Sequence, residues 1–157
     1  MFVKVNAPAS IYPLGPSSIC IGDTTYLFPS FGGVWTSSNT DIATVNNGGR
    51  VIAKDQGIVS FSFTNTSTGC LSNGSLNLTI NSRPSVVLLG DNNICINGNT
   101  QFAPSSGGTW SSNNSGIAVI NNSGIVTGLS LGSTSFYFTD VTTGCKSVNT
   151  ENVIVNN

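Results

Sequence analysis

The chain has 157 residues, with five Lys plus Arg, six Asp plus Glu and no His, for a formal net charge of −1. A surface this close to neutral has no basic patch for phosphate, which excludes nucleic acid as an expected partner, and no charge run of the kind that forms a solvated tail or a basic membrane-surface helix. Asn, Ser and Thr fill 60 of the 157 positions, so the polarity comes from amides and hydroxyls rather than ions.

In chain order, Met1-Phe2-Val3-Lys4-Val5-Asn6 lacks the apolar core and small-residue cleavage site of a signal peptide. Thr24–Phe28, rich in β-branched and aromatic residues, reads as a strand, and Val34–Ser37 as a second. Ile42–Val45 and Arg50–Ala53 flank Asn46-Asn47-Gly48-Gly49, whose residues tolerate positive φ and predict a hairpin turn. Ile58–Thr64 and Leu76–Ile80 alternate apolar and polar residues, the period of a strand with one buried face. Val86-Val87-Leu88-Leu89, the longest apolar run, also reads as a strand, far short of the roughly 18 residues that a membrane helix needs. Short strands with turn signals every eight to twelve residues predict an all-β sandwich, and no membrane insertion is expected.

The sequence repeats itself. Ser10–Asn81 aligns on Ser85–Asn156 at a shift of 75 residues without a gap, and about 30 positions are identical. The matches include Cys20 with Cys95, Pro29 with Pro104, Trp35 with Trp110, Ile42-Ala43 with Ile117-Ala118, Phe61 and Phe63 with Phe136 and Phe138, and Gly69-Cys70 with Gly144-Cys145. A unit of this length carries its own small core, so tandem domains fit better than a stacked solenoid. The expected division is 1–7, 8–81 and 82–157: a remnant of a preceding repeat, then two repeats joined by a short linker. The remnant is read from Val3-Lys4-Val5-Asn6, because Val5-Asn6, Ile80-Asn81 and Val155-Asn156 are also spaced by 75. The chain therefore reads as an interior piece of a longer exported array, with Met1 as an added start.

The order W-x-S-S-N, then I-A-x-V/I, then G-x-V, then Gly before an alternating strand resembles the bacterial immunoglobulin-like domain, group 2. Trp35, Ser37, Asn39, Ile42, Ala43, Val45, Val51 and Gly57 carry the resemblance in the first copy, and Trp110, Ser111, Ser112, Asn113, Ile117, Ala118, Ile120, Val126 and Gly132 in the second. The added I-C-x-G and T-G-C segments are similar to a variant found in very large surface proteins of gliding bacteria. The resemblance implies a seven-stranded immunoglobulin-like sandwich, an extracellular bacterial cell-surface location, and a role in the stalk of an adhesin, with a giant gliding-motility adhesin as the sharpest form. Neighbouring repeats are then the expected partners, with polysaccharide or a solid surface as further candidates. Asp23-Thr24-Thr25 resembles an O-glycosylation acceptor of this bacterial group, which makes Thr24 a candidate, although a capped strand start uses the same residues.

Four cysteines allow three pairings. Each unit places its two cysteines 50 residues apart, and the simplest expectation is Cys20–Cys70 and Cys95–Cys145, which requires Thr64–Cys70 to climb back along the sandwich. Each closure would stabilise by about 4 kcal/mol in the chain-entropy model and implies an oxidising compartment. A Cys70–Cys95 bridge is the alternative. Zinc is disfavoured by the absence of C-x₂-C spacing, and a redox-active pair by the absence of C-x-x-C.

Catalysis is not expected. With no His, Ser–His and Cys–His nucleophiles are excluded. Asp23, Asp41, Asp55, Asp91, Asp140 and Glu151 read as turn or surface residues, too sparse for a strong calcium site, and no cofactor is expected. Trp35, Trp110, Phe61, Phe63, Phe136 and Phe138 read as core, with sugar stacking as the lesser reading of the tryptophans. Tyr12, Tyr26 and Phe31 have no aromatic counterpart in the second copy and are the candidates for a private binding site. The leading reading is a non-catalytic stalk. A binding module acting by avidity and an accessory domain of a secreted glycan-degrading enzyme are the alternatives.

Overall fold

The computed structural model describes residues 5–157, and the chain divides into two units between Ser82 and Arg83. Val3 and Lys4 of the expected remnant lie outside the described residues, and Val5 and Asn6 belong to no strand. Among the described residues all regular structure is β, and no described helix is long and apolar enough to cross a membrane.

The first unit contains β1 (Tyr12–Pro13), β2 (Ser18–Cys20), β3 (Thr24–Phe28), β4 (Gly33–Ser37), β5 (Ala43–Val45), β6 (Arg50–Ala53), β7 (Gly57–Asn65) and β8 (Leu76–Asn81). They form two four-stranded sheets, β1-β3-β6-β5 and β2-β8-β7-β4. Pairing is antiparallel except between β2 and β8, which run parallel. Its described residues form eight strands rather than seven because Leu14–Pro16 interrupts the first one. Pro13 and Pro16 lack an amide to donate, so the chain leaves one sheet at β1 and joins the other at β2. Alternation along each strand turns one face of each sheet inward. The enclosed core is Ile19, Leu27, Trp35, Ala43, Val51, Ala53, Val59, Phe61, Phe63, Leu78 and Ile80.

The second unit contains β9 (Val87–Leu88), β10 (Asn93–Cys95), β11 (Asn99–Ala103), β12 (Gly108–Ser112), β13 (Ala118–Ile120), β14 (Ile125–Gly128), β15 (Gly132–Thr134), β16 (Phe136–Asp140) and β17 (Val153–Asn156). One sheet is β13-β14-β11-β9, and the other is in two pieces, β10-β17-β15 and β12-β16. The break at Ser135 replaces the continuous β7 of the first unit. Leu76, which packs against the first core, corresponds to Glu151, which is exposed. A carboxylate resists burial without a partner, so β17 starts two residues later. Thr150 fills the gap: its amide donates to Phe136 O (2.9 Å) and its Oγ1 accepts from Phe136 N (3.0 Å). Trp110, Phe136 and Phe138 are buried with Phe102, Val126, Val153 and Val155.

Candidate functional site

The repeated motif directs its side chains at the fold. The Trp35 indole packs 5.2 Å from Phe63, and its Nε1 donates to Pro29 O at 2.8 Å. Trp110 does the same with Phe138 (5.2 Å) and Pro104 O (2.9 Å). A buried indole needs a partner for its N–H, and the carbonyl before each turn supplies it. Ser37 Oγ donates to Ala43 O (2.7 Å) and accepts from Asn39 N (3.3 Å), tying the end of β4 to β5. Ser112 Oγ repeats this with Ala118 O (2.8 Å) and Asn114 N (3.2 Å). Asn39 and Asn114 each accept an amide two residues on, an Asx turn. In the β5–β6 turn Asn46 Oδ1 accepts from Arg50 N at 2.9 Å. Gly49 then takes φ 76°, where a Cβ would stand 2.1 Å from Leu27 O.

Three of the carboxylates, Asp23, Asp55 and Asp140, accept hydrogen bonds from backbone amides. Asp23 Oδ2 accepts from Cys20 N (3.2 Å), and Asp55 Oδ1 from Gln56 N (2.7 Å). Asp140 Oδ1 accepts three bonds, from Thr143 N (2.7 Å), Thr143 Oγ1 (3.0 Å) and Thr142 N (2.9 Å). These bonds, Thr143's first, hold its carboxyl below the ordinary value. Tyr137 is also lowered, chiefly by its hydrogen bond with Ser111 and then by Lys146. The Lys146 ammonium sits 3.1 Å from the centre of the Tyr137 ring. Among the described residues no three His, Cys, Asp or Glu converge as metal ligands.

One outer face of the first unit carries aromatics. β3 alternates so that Thr24, Tyr26 and Phe28 point away from the core, with Thr24 and Tyr26 exposed. Tyr12 pairs across from Phe28, and the two rings stack at 4.8 Å. Ile52, opposite Thr24, extends the strip. Phe31 is exposed in the following loop. In the second unit the equivalent outward positions on β11 are Asn99, Gln101 and Ala103, so the strip belongs to the first unit alone.

The cysteines depart from expectation. Cys20 and Cys145 are disulfide-bonded, whereas Cys70 and Cys95 are free thiols. The pairs Cys20–Cys70 and Cys95–Cys145 are therefore not formed, nor are Cys70 and Cys95 joined. The reason lies inside each unit. Cys20 is in register with Asn81, one residue past the Ile80 that faces Gly57, the first residue of β7. Cys70 O accepts from Asn65 N, at the other end of the same strand. β7 separates the two ends by about 26 Å at the usual strand rise, far beyond the Cα separation of a disulfide. The segment after β7 does not climb back: Thr66–Gly69 is spent on a turn, and only from Leu71 does the chain pair backward along β7. In the second unit Cys95 is likewise in register with Asn156 beyond Gly132, and Cys145 O accepts from Asp140 N. Each unit thus has one cysteine at each pole.

Around Cys95 the pole is hollow. A concavity of about 460 Å³ is lined by Gly90, Asp91, Asn93, Ile94, Cys95, Gly98, Asn99 and Thr100. Thr100 is 7 % exposed, and its Oγ1 is buried without a hydrogen-bond partner.

No protein-family model and no curated protein matches the sequence. Solved structures match the fold. The C-terminal 282-residue fragment of intimin, in complex with the intimin-binding domain of the translocated intimin receptor, aligns with a TM-score of 0.56 at 12 % identity, over 97 % of this chain and 65 % of that one. Invasin, a bacterial integrin-binding protein, aligns with a TM-score of 0.55 at 14 % identity, over 94 % of this chain and 38 % of that one. This chain spans less than two thirds of either. Its fold is that of tandem immunoglobulin-like β-sandwiches.

Proposed function

We propose that the chain is a pair of structural repeats from the stalk of a bacterial cell-surface adhesin, extracellular and non-catalytic, with neighbouring repeats as its partners. One observation carries the reading: the motif shared by the two copies is committed to core, caps and turns, while the outward faces differ. Repetition of a scaffold without repetition of a surface suits a part whose task is reach. The resemblance to bacterial immunoglobulin-like domains and the shared fold with intimin and invasin support the surface setting, and a gliding-motility adhesin is the finer form of the proposal. The test is binding of the chain, displayed in many copies on beads, to glycan arrays and to glass and polystyrene. The stalk reading expects no binding above that of bare beads.

The aromatic strip favours a second reading, a carbohydrate-binding face on the first unit. Exposed rings in a row suit stacking on sugar faces, and multivalent display would amplify weak contacts. Glycan binding that disappears in a Tyr12→Ala, Tyr26→Ala double variant would replace the stalk reading with this one.

A further inference from the structure

We propose that Cys95 and the concavity around it receive the Cys70 loop of a second copy of this chain, and that the two thiols close into a head-to-tail disulfide.

The repeat defines two kinds of cysteine, one following β2 or β10 at the C-terminal pole and one in the loop after β7 or β16 at the N-terminal pole. One of each kind, Cys20 and Cys145, is already oxidised, and one of each kind, Cys95 and Cys70, is a thiol. Both structural positions are therefore competent for disulfide chemistry. Neither remaining thiol can find its partner at the opposite pole of its own unit, about 26 Å away.

The two free sites are complementary. Cys95 is exposed, and the tight turn behind it, with Gly98 N donating to Cys95 O at 2.8 Å, fixes it at the rim of the concavity. A Cβ on Gly98 would meet that same oxygen at 2.8 Å, so the turn admits little else. Inside, Thr100 Oγ1 is desolvated with no partner. A buried hydroxyl in that state costs stability until something bonds to it. The Cys70 loop is a projecting turn, Thr66-Ser67-Thr68-Gly69, exposed throughout and stabilised by Asn65 Oδ1 accepting from Ser67 N and Thr68 N. It offers hydroxyls and backbone groups at its tip and the thiol at its base. Neither side brings a cation, and a loop of hydroxyls and amides meets a hollow in which Asn93, Asn99 and Thr100 stand among glycines and Ile94.

The chemistry balances with a disulfide oxidant such as oxidised glutathione. One Cys thiolate displaces a glutathione thiolate and forms a mixed disulfide. The second Cys thiolate attacks the protein sulfur and displaces the other glutathione. Two protein thiols are oxidised and one glutathione disulfide is reduced to two thiols. Because the contact joins unlike poles, a bonded pair still carries one free site of each kind, and further copies add in series.

The experiment incubates the full chain with oxidised glutathione and reads non-reducing gels and peptide maps. The expected result is a ladder of oligomers containing a Cys70–Cys95 peptide. Cys70→Ser and Cys95→Ser chains should each stay monomeric alone and give one dimer when mixed. Thr100→Val, which removes an unpaired hydroxyl, should slow the mixed dimer at least threefold while leaving glutathionylation of Cys95 unchanged. Single variants that dimerise alone as fast as the mixture would overturn the proposal. So would thiols that end as glutathione adducts without dimer, or that vanish within a monomer. An unchanged rate for Thr100→Val would overturn the role given to the concavity.

Discussion

Each tryptophan fills the centre of its unit and satisfies its own N–H. Trp35→Ala and Trp110→Ala should each cost about 3–5 kcal/mol, the usual range for deleting a large buried aromatic. A unit of this size has only about 4–11 kcal/mol in total, so denaturant unfolding should show one unit close to melted in each variant. Losses below about 1 kcal/mol would remove the indoles from the core. A subtler test lies at Asp140, whose counterpart is Asn65. Its folded pKa is depressed, so its contribution is present above the unfolded value and is lost as pH falls through the lowered one. Acid unfolding of the second unit should therefore lose this contribution below the ordinary carboxylate range. Asp140→Asn should keep the turn and remove that dependence. Identical acid profiles for the two proteins would contradict the assignment.

At the scale of elements, much of the chain was legible. Thr24–Phe28 and Arg50–Ala53 are strands at the bounds that their β-branched and aromatic residues suggest. The hairpin between β5 and β6 follows from its Asn and Gly residues, because few other residues accept its geometry. The short edge strands β1 and β2, which lie in different sheets, were not legible, since Pro13, Gly15 and Pro16 read as loop and a switch between sheets leaves no periodicity. The cysteine geometry was hidden for another reason: a spacing of 50 residues does not reveal that β7 carries the chain from one pole to the other. The concavity beside Thr100 depends on how a turn and two strands meet, which no local pattern encodes. The different lengths of β8 and β17 reduce to one exchange, Leu76 for Glu151. Leu76→Glu should shorten β8 and cost about 1–3 kcal/mol, with faster hydrogen exchange at the Phe61 amide. Unchanged exchange there would mean that Leu76 does not hold the end of the strand.

For the whole molecule, oxidation state separates the cysteines. Iodoacetamide added to the native chain should modify Cys70 and Cys95 and leave Cys20 and Cys145 untouched until a reductant is added. Modification of all four at once would contradict the structure, and modification of none would show the two thiols already consumed. A different consequence follows from the parallel ladder of β2 on β8, repeated by β10 on β17. In each unit this ladder joins a strand near the entering end of the chain to the strand by which the chain leaves. Tension applied across the unit drags these two strands in opposite directions along their own axes. The bonds between Ser18–Cys20 and Thr79–Asn81 are then loaded together, in shear, and yield as a group. An unzipping geometry would break them singly. A ladder of three residues thus acts as a mechanical clamp, and each sandwich should resist stretching far better than its modest core would suggest.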